Sequence, residues 1–146
     1  MNILALDLGT KCGWATIKES GTWNFQPSKF DSAGERYHMF YKELSTTIFS
    51  LRIDRVFYEE VRMHIAIDAA HVYGALMGIL QLVCLEQGIP YKGVPVGTIK
   101  KFATGKGNAG KEDMVNAAIK LFPATNVVDD NHADALCLLA WALKNL

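Results

Sequence analysis

Four carboxylates stand at the edges of apolar runs instead of in polar stretches. Asp7 ends Ile3-Leu4-Ala5-Leu6-Asp7, Glu59 ends Val56-Phe57-Tyr58-Glu59, and Asp130 and Asp134 open the last apolar segment, Asp130-Asn131-His132-Ala133-Asp134-Ala135-Leu136. A carboxylate beside a core element is costly unless it is paired, hydrogen-bonded or bound to a cation. Neighbours on a strand point to opposite faces, so only one of Glu59 and Glu60 can join Asp7. Alternation does not say which, and Glu60 reads as a solvated strand-end acid. Asp130 and Asp134 are four apart and share one helix face. Asp129 and Asp130 also suit a plain helix cap, whereas Asp134 lies a turn inside among Ala133, Ala135, Leu136 and Leu138. His132 offers a base or a ligand, or else an exposed helix-start histidine.

Hard oxygen donors without a cysteine or histidine set select magnesium or manganese. Two such ions about 4 Å apart can activate water and stabilise the leaving oxygen of a phosphodiester. The expected ligands are Asp7, Glu59, Asp130 and Asp134, with two Mg2+ ions as cofactor and Mn2+ able to substitute.

The 146 residues suit one domain, residues 1–146; half are hydrophobic and about a fifth charged, as in a globular protein. Met1 leads straight into an apolar run without a basic n-region, which reads as a first strand and not a signal peptide. Cys12, Cys84 and Cys137 are scattered without zinc spacing, as expected of free thiols in a reducing cytoplasm. The formal net charge of zero argues against a nucleic-acid partner. Its distribution answers that, because Lys92, Lys100, Lys101, Lys106 and Lys111 fall in a stretch between Glu86 and Glu112 that has no acid. The Gly- and Lys-rich segment from Gly97 to Lys111 could lead amides and ammonium groups to a phosphate chain. Gly105 and Gly110-Lys111 imitate a Walker A loop, but Glu112 stands where Ser or Thr must hold magnesium, so an ATPase is rejected.

The elements that must position these groups follow from pattern. Asn2 to Leu8 reads as a strand ending in the turn Gly9-Thr10-Lys11, then strands at Trp14 to Lys18 and Thr22 to Gln26 around a Ser20-Gly21 turn. Helical spacing of Tyr37, Phe40, Tyr41, Leu44 and Ile48 predicts a helix from Ser32 to Arg52. A strand at Asp54 to Glu60, a long helix from about Ala66 to Gln87 closed by Gly88, and a short strand at Ile89 to Val96 come next. Helices at Gly97 to Ala103, Lys111 to Phe122 and, capped by Asp130 or Asn131, onward to Leu146 complete the chain. The order implies an α/β fold with a mixed five-stranded sheet, three antiparallel strands then parallel ones, flanked by helices.

Leu4-Ala5-Leu6-Asp7-Leu8-Gly9-Thr10, Tyr58-Glu59 and Asp130-Asn131-His132-Ala133-Asp134-Ala135 together resemble the RuvC family of Holliday junction resolvases, phage-encoded members especially. The likeness spans nearly the whole chain and includes Gly74 and Gly78 in the long helix. It implies an RNase H-like fold, a magnesium-dependent site of four carboxylates, a homodimer, and paired nicks across a four-way junction in DNA recombination and repair. It also implies that Lys100 and Lys111 contact DNA near the metals, Lys111 within the catalytic set; Lys101 and Lys106 of the basic segment, and Arg62, are expected as further DNA contacts from their charge. The family often places a ligand three residues before the final Asp. Here that residue is Asn131, so Asp130 is taken as the fourth ligand with Asn131 as the alternative. Arg62 stands where bacterial members carry an aromatic. The opening motif with Lys11 and Gly13 is also similar to YqgF-type nucleases of ribosomal RNA precursors, and a non-catalytic nucleic-acid-binding module on the same fold is a further alternative.

From Ala69 to Leu85 the long helix has no formally charged residue, yet glycine, histidine and glutamine interrupt it, so no membrane partner is expected. A helix apolar all round must be covered on every side, which a single sheet does not do. The small residues Ala66, Ala70, Gly74 and Gly78 form a stripe for a second copy, with Tyr73, Met77, Leu80 and Cys84 expected to fill the contact. A homodimer through helix 66–87 in the cytoplasm of a bacterium or phage-infected host is the expected assembly.

Overall fold

The computed structural model describes residues 1–64 and 66–146. Strands β1 (Ile3–Asp7), β2 (Lys11–Ala15), β3 (Ser20–Asn24), β4 (Arg55–Glu60) and β5 (Tyr91–Pro95) form one sheet in the order β3-β2-β1-β4-β5. The pairs β3–β2 and β2–β1 are antiparallel, and β1–β4 and β4–β5 are parallel. Helices α1 (Gly34–Ser50) and α2 (Ile67–Gln87) cover one face; α3 (Val96–Thr104), α4 (Lys111–Leu121) and α5 (Asp130–Lys144) cover the other. This is the expected RNase H-like mixed sheet.

Each face has its own core, drawn from alternate residues of the same strands. Leu4, Leu6, Val56 and Tyr58 pack with Phe40, Leu44, Leu76 and Leu80 beneath α1 and α2. Ile3, Ala5, Phe57 and Val94 pack with Ile99, Met114, Leu136 and Leu139 beneath α3, α4 and α5. That parity carries Asp7 and Glu59 to the α5 face and turns Glu60 toward the other.

Several expected boundaries are corrected. The first turn is shorter than expected, so β2 starts at Lys11, not Trp14. Thr16 N–H and Oγ1 both donate to the Glu19 carbonyl, at 2.8 and 2.9 Å, and Glu19 N–H returns to Thr16 Oγ1 at 3.0 Å. The hairpin therefore turns at Thr16–Glu19, ahead of Ser20-Gly21, and β3 begins at Ser20. Neither Asp130 nor Asn131 caps α5. Asp129 does, its Oδ1 accepting from His132 N–H at 2.8 Å.

The long helix is also corrected in detail. Tyr73, Leu76, Leu80, Val83 and Cys84 are buried against the sheet, and Met77 packs on the same core. Tyr73, Leu80 and Cys84 are thus core residues, not a surface for a second copy. The opposite face, with Ile67 74%, Leu82 55% and Leu85 69% exposed, is uncovered. Ala66, Ala70, Gly74 and Gly78 are exposed as well, and a Cβ on either glycine would meet nothing within 4 Å. By length and composition α2 could cross a bilayer, but one side of it is fixed in the protein core.

Candidate active site and metal centre

β1 and β4 run parallel with Leu6 opposite Tyr58, so both strands end together and bring Asp7 beside Glu59. α5 crosses that face of the sheet and adds Asp134 from its second turn. One oxygen from each of Asp7, Glu59 and Asp134 lies within 4.8 Å of the others. The packing of β4 resolves which acid joins Asp7: Phe57 faces α5, and Glu59 shares its parity. Glu60 instead pairs with Arg62, Nε to Oε1 at 2.9 Å.

The site is electrostatically loaded. Burial pushes the Asp7 carboxyl well above the usual carboxylate range, and the charges of Glu59, Asp134 and Asp130 push it further. Burial also raises Glu59, while the hydrogen bond with Asp7 and the Lys100 charge oppose that rise. Asp134 is pushed up to about 7 by burial and by Glu59 and Asp130, against Lys100 and Lys111. Three carboxyls so placed cannot all ionise cheaply without positive charge among them. The donor set therefore fits a hard divalent cation, whose charge would offset the desolvation and mutual repulsion that raise these groups.

Asp130 lies outside the three-acid group, although its charge acts on Asp7 and Asp134. Its Oδ2 faces Lys111 Nζ at 3.8 Å. Lys111, at the start of α4, and Lys100, in α3, both act on the acids. Lys101 and Lys106 are exposed on the end of α3 and the following loop, and Arg62 is exposed beyond β4.

What holds α5 in place was not anticipated. His132 is only 2% exposed and is neither a free surface residue nor part of the acid cluster. Val128 N–H donates to its Nδ1 at 3.1 Å, so the neutral ring carries its proton on Nε2 and donates to Ser20 Oγ at 2.7 Å. Burial lowers its pKa, against the nearby Asp129 charge, which keeps the ring neutral. Asp129 Oδ1 also accepts from Thr22 Oγ1 at 2.7 Å. Ser20 and Thr22 belong to β3, so two half-buried contacts latch the edge strand to the start of α5. Gly13 completes the seat, since a Cβ there would lie 1.8 Å from the Asn131 carbonyl oxygen. The local signals were a glycine in the middle of a strand and a Ser-x-Thr alternation on its neighbour.

The family model described as "Crossover junction endodeoxyribonuclease RuvC" matches residues 3–142. The enzyme of that name from Chlamydia trachomatis is 27% identical over 150 residues, covering 97% of this chain and 88% of its own. That of Brachyspira hyodysenteriae is 26% identical over 157 residues, covering 99% and 96%. In fold the chain is similar to Thermus thermophilus RuvC in complex with a Holliday junction substrate, with TM-score 0.81 at 20% identity over 99% and 94% of the two chains. It is also similar to the yeast mitochondrial Holliday junction resolvase, with TM-score 0.64 at 12% identity over 94% and 75%. With the match running over residues 3–142, from β1 into α5, this chain belongs to the RuvC family of crossover junction endodeoxyribonucleases.

Proposed function

We propose that the chain is a structure-selective endonuclease that resolves Holliday junctions and other branched DNA by hydrolysing phosphodiesters with two divalent ions. The carrying observation is the convergence of Asp7, Glu59 and Asp134 within 4.8 Å at the ends of two central strands, beneath α5, in a member of this metal-dependent nuclease family. The ions are Mg2+, with Mn2+ able to substitute, and when bound they supply activation of water and stabilisation of developing phosphate charge. Asp7, Glu59 and Asp134 hold them. Asp130, whose charge acts on both Asp7 and Asp134, would be the fourth ligand. Lys111 and Lys100 flank the acids, orient the scissile backbone and offset its charge. Lys101, Lys106 and Arg62 extend that contact along neighbouring phosphates.

The working unit in this reading is one nuclease domain over residues 1–146, paired as a homodimer through the uncovered face of α2. An apolar face that includes Ile67, Leu82 and Leu85 favours burial, and Gly74 and Gly78 let another backbone approach closely. A two-fold axis through paired α2 helices would set two sites against a substrate of matching symmetry. A cytoplasmic location, in a bacterium or a phage-infected host, fits DNA as the partner. The likeness to RuvC enzymes over nearly the whole chain disfavours the ribosomal RNA alternative, and the gathered acids disfavour a silent binding module.

Cleavage of matched four-way, flap, duplex and RNA-hybrid substrates with magnesium tests the assignment. Four-way junctions are expected to be cut fastest, and equal cutting of plain duplex would overturn junction selectivity.

A further inference from the structure

The acid cluster and its lysines occupy the α5 side of the sheet. On the other side, a cleft of about 540 Å³ opens between the β1–β2 turn, the start of α1 and the start of α2. Gly9, Thr10, Arg36, His64, Asp68 and His71 line it. Arg36 is half-buried; its Nε is shielded from solvent and has no hydrogen-bond partner among the described residues. Nor does a described carboxylate reach the guanidinium within 4.0 Å. Arginine stays charged at any working pH, and a buried donor left unmade is destabilising. A permanent cation with one shielded, unmade donor on the wall of an open cleft is available to an acceptor from outside the chain.

The other groups narrow that acceptor. The Thr10 hydroxyl and the rings of His64 and His71 can donate beside Arg36, against one carboxylate, Asp68. Gly9 is two residues beyond Asp7, at most about 7 Å along the backbone. A strand cut beside Asp7 therefore reaches this cleft almost at once. Intact duplex presents its phosphates on a convex surface, whereas a concave cleft walled on three sides suits a strand that has left the helix.

We propose that this cleft binds the phosphodiester backbone of a nucleotide leaving the duplex at the branch point, with Arg36 as its cation and Thr10, His64 and His71 as further donors. The inference rests on branched DNA being the substrate. It gives the chain a contact for strand departure separate from the lysine-bearing surface of α3 and α4.

The test uses full-length Asp7→Asn protein, so that bound DNA is not cut, with and without Arg36→Gln. Affinity for a four-way junction and for duplex of equal length is measured across a salt series. Arg36→Gln is expected to weaken junction binding about tenfold and lower its salt slope by about one charge, with duplex binding changed less than twofold. Arg36→Lys, which keeps the charge, is expected to restore most of the slope, separating lost charge from a damaged fold. Unchanged junction binding, or an equal loss on duplex, would overturn the cleft assignment alone. Absence of any junction preference in the Asp7→Asn protein would overturn the substrate reading and this inference with it.

Discussion

Asp134 carries its proton up to about pH 7 in the metal-free chain because it is buried beside Glu59 and Asp130. In the unfolded chain an aspartate titrates near 3.9. Between those values the folded state binds a proton that the unfolded state does not, so stability falls as pH rises through that window. Asp7 and Glu59, also raised, act in the same direction, while the single buried His132, whose pKa is lowered, opposes the three acids. Chelator-treated protein is therefore expected to melt at a higher temperature near about pH 5.5 than near about pH 7.5. Magnesium should raise Tm more at the higher value, where the ligands are free of protons. A metal-free Tm that climbs steadily from acid to neutral pH would contradict the buried-acid account. At this scale the sequence was informative because an acid ending an apolar strand is costly without a partner, which singled out Asp7, Glu59 and Asp134. It was less informative for Asp130, since a first-turn acid is explained as well by helix capping or by Lys111, and for His132, whose partner Ser20 is remote in sequence.

At the level of elements, the acids meet because α5 is seated tightly on β2 and latched to β3. The seat is unforgiving at Gly13, where an added methyl would overlap the Asn131 carbonyl. Gly13→Ala is expected to destabilise the fold by at least about 2 kcal/mol and to lower magnesium affinity as α5 shifts. Thermal melts and a metal titration check both effects, and a variant with wild-type values in each would remove Gly13 from the seat. His132→Ala should cost about 1–3 kcal/mol, because it leaves Ser20 and the Val128 amide without their partner. Denaturant unfolding reads that loss, and a change below about 0.5 kcal/mol would mean that the latch carries no strain-bearing role. The long helices and the two parallel strands were legible from periodicity and length. The β2–β3 hairpin was displaced because the Thr16 hydroxyl closes a turn that its sequence does not advertise as strongly as Ser20-Gly21. The cap moved by one residue because neighbouring Asp129 and Asp130 are equivalent by type, and only contact with Thr22 distinguishes them.

For the whole molecule, hydropathy along α2 indicated that one sheet was insufficient cover, and the stripe Ala66, Ala70, Gly74, Gly78 lies on the uncovered side. The larger residues first assigned to that side, Tyr73, Leu80 and Cys84, face the core, because an all-apolar helix gives no moment to orient it. Sedimentation equilibrium of wild type is expected to give a dimer at micromolar concentration, and Gly74→Glu a monomer with its fold intact. A monomeric wild type would contradict paired nicking. The central claim, that acids from three remote segments form one metal-dependent site for cutting branched DNA, is tested most directly by Asp7→Asn. This variant keeps the shape of the side chain but removes the charge that holds the metal. Cleavage of an end-labelled four-way junction in magnesium is expected to fall by more than about a hundredfold while junction binding stays near wild type. Cleavage at the wild-type rate by folded, junction-bound Asp7→Asn would contradict it.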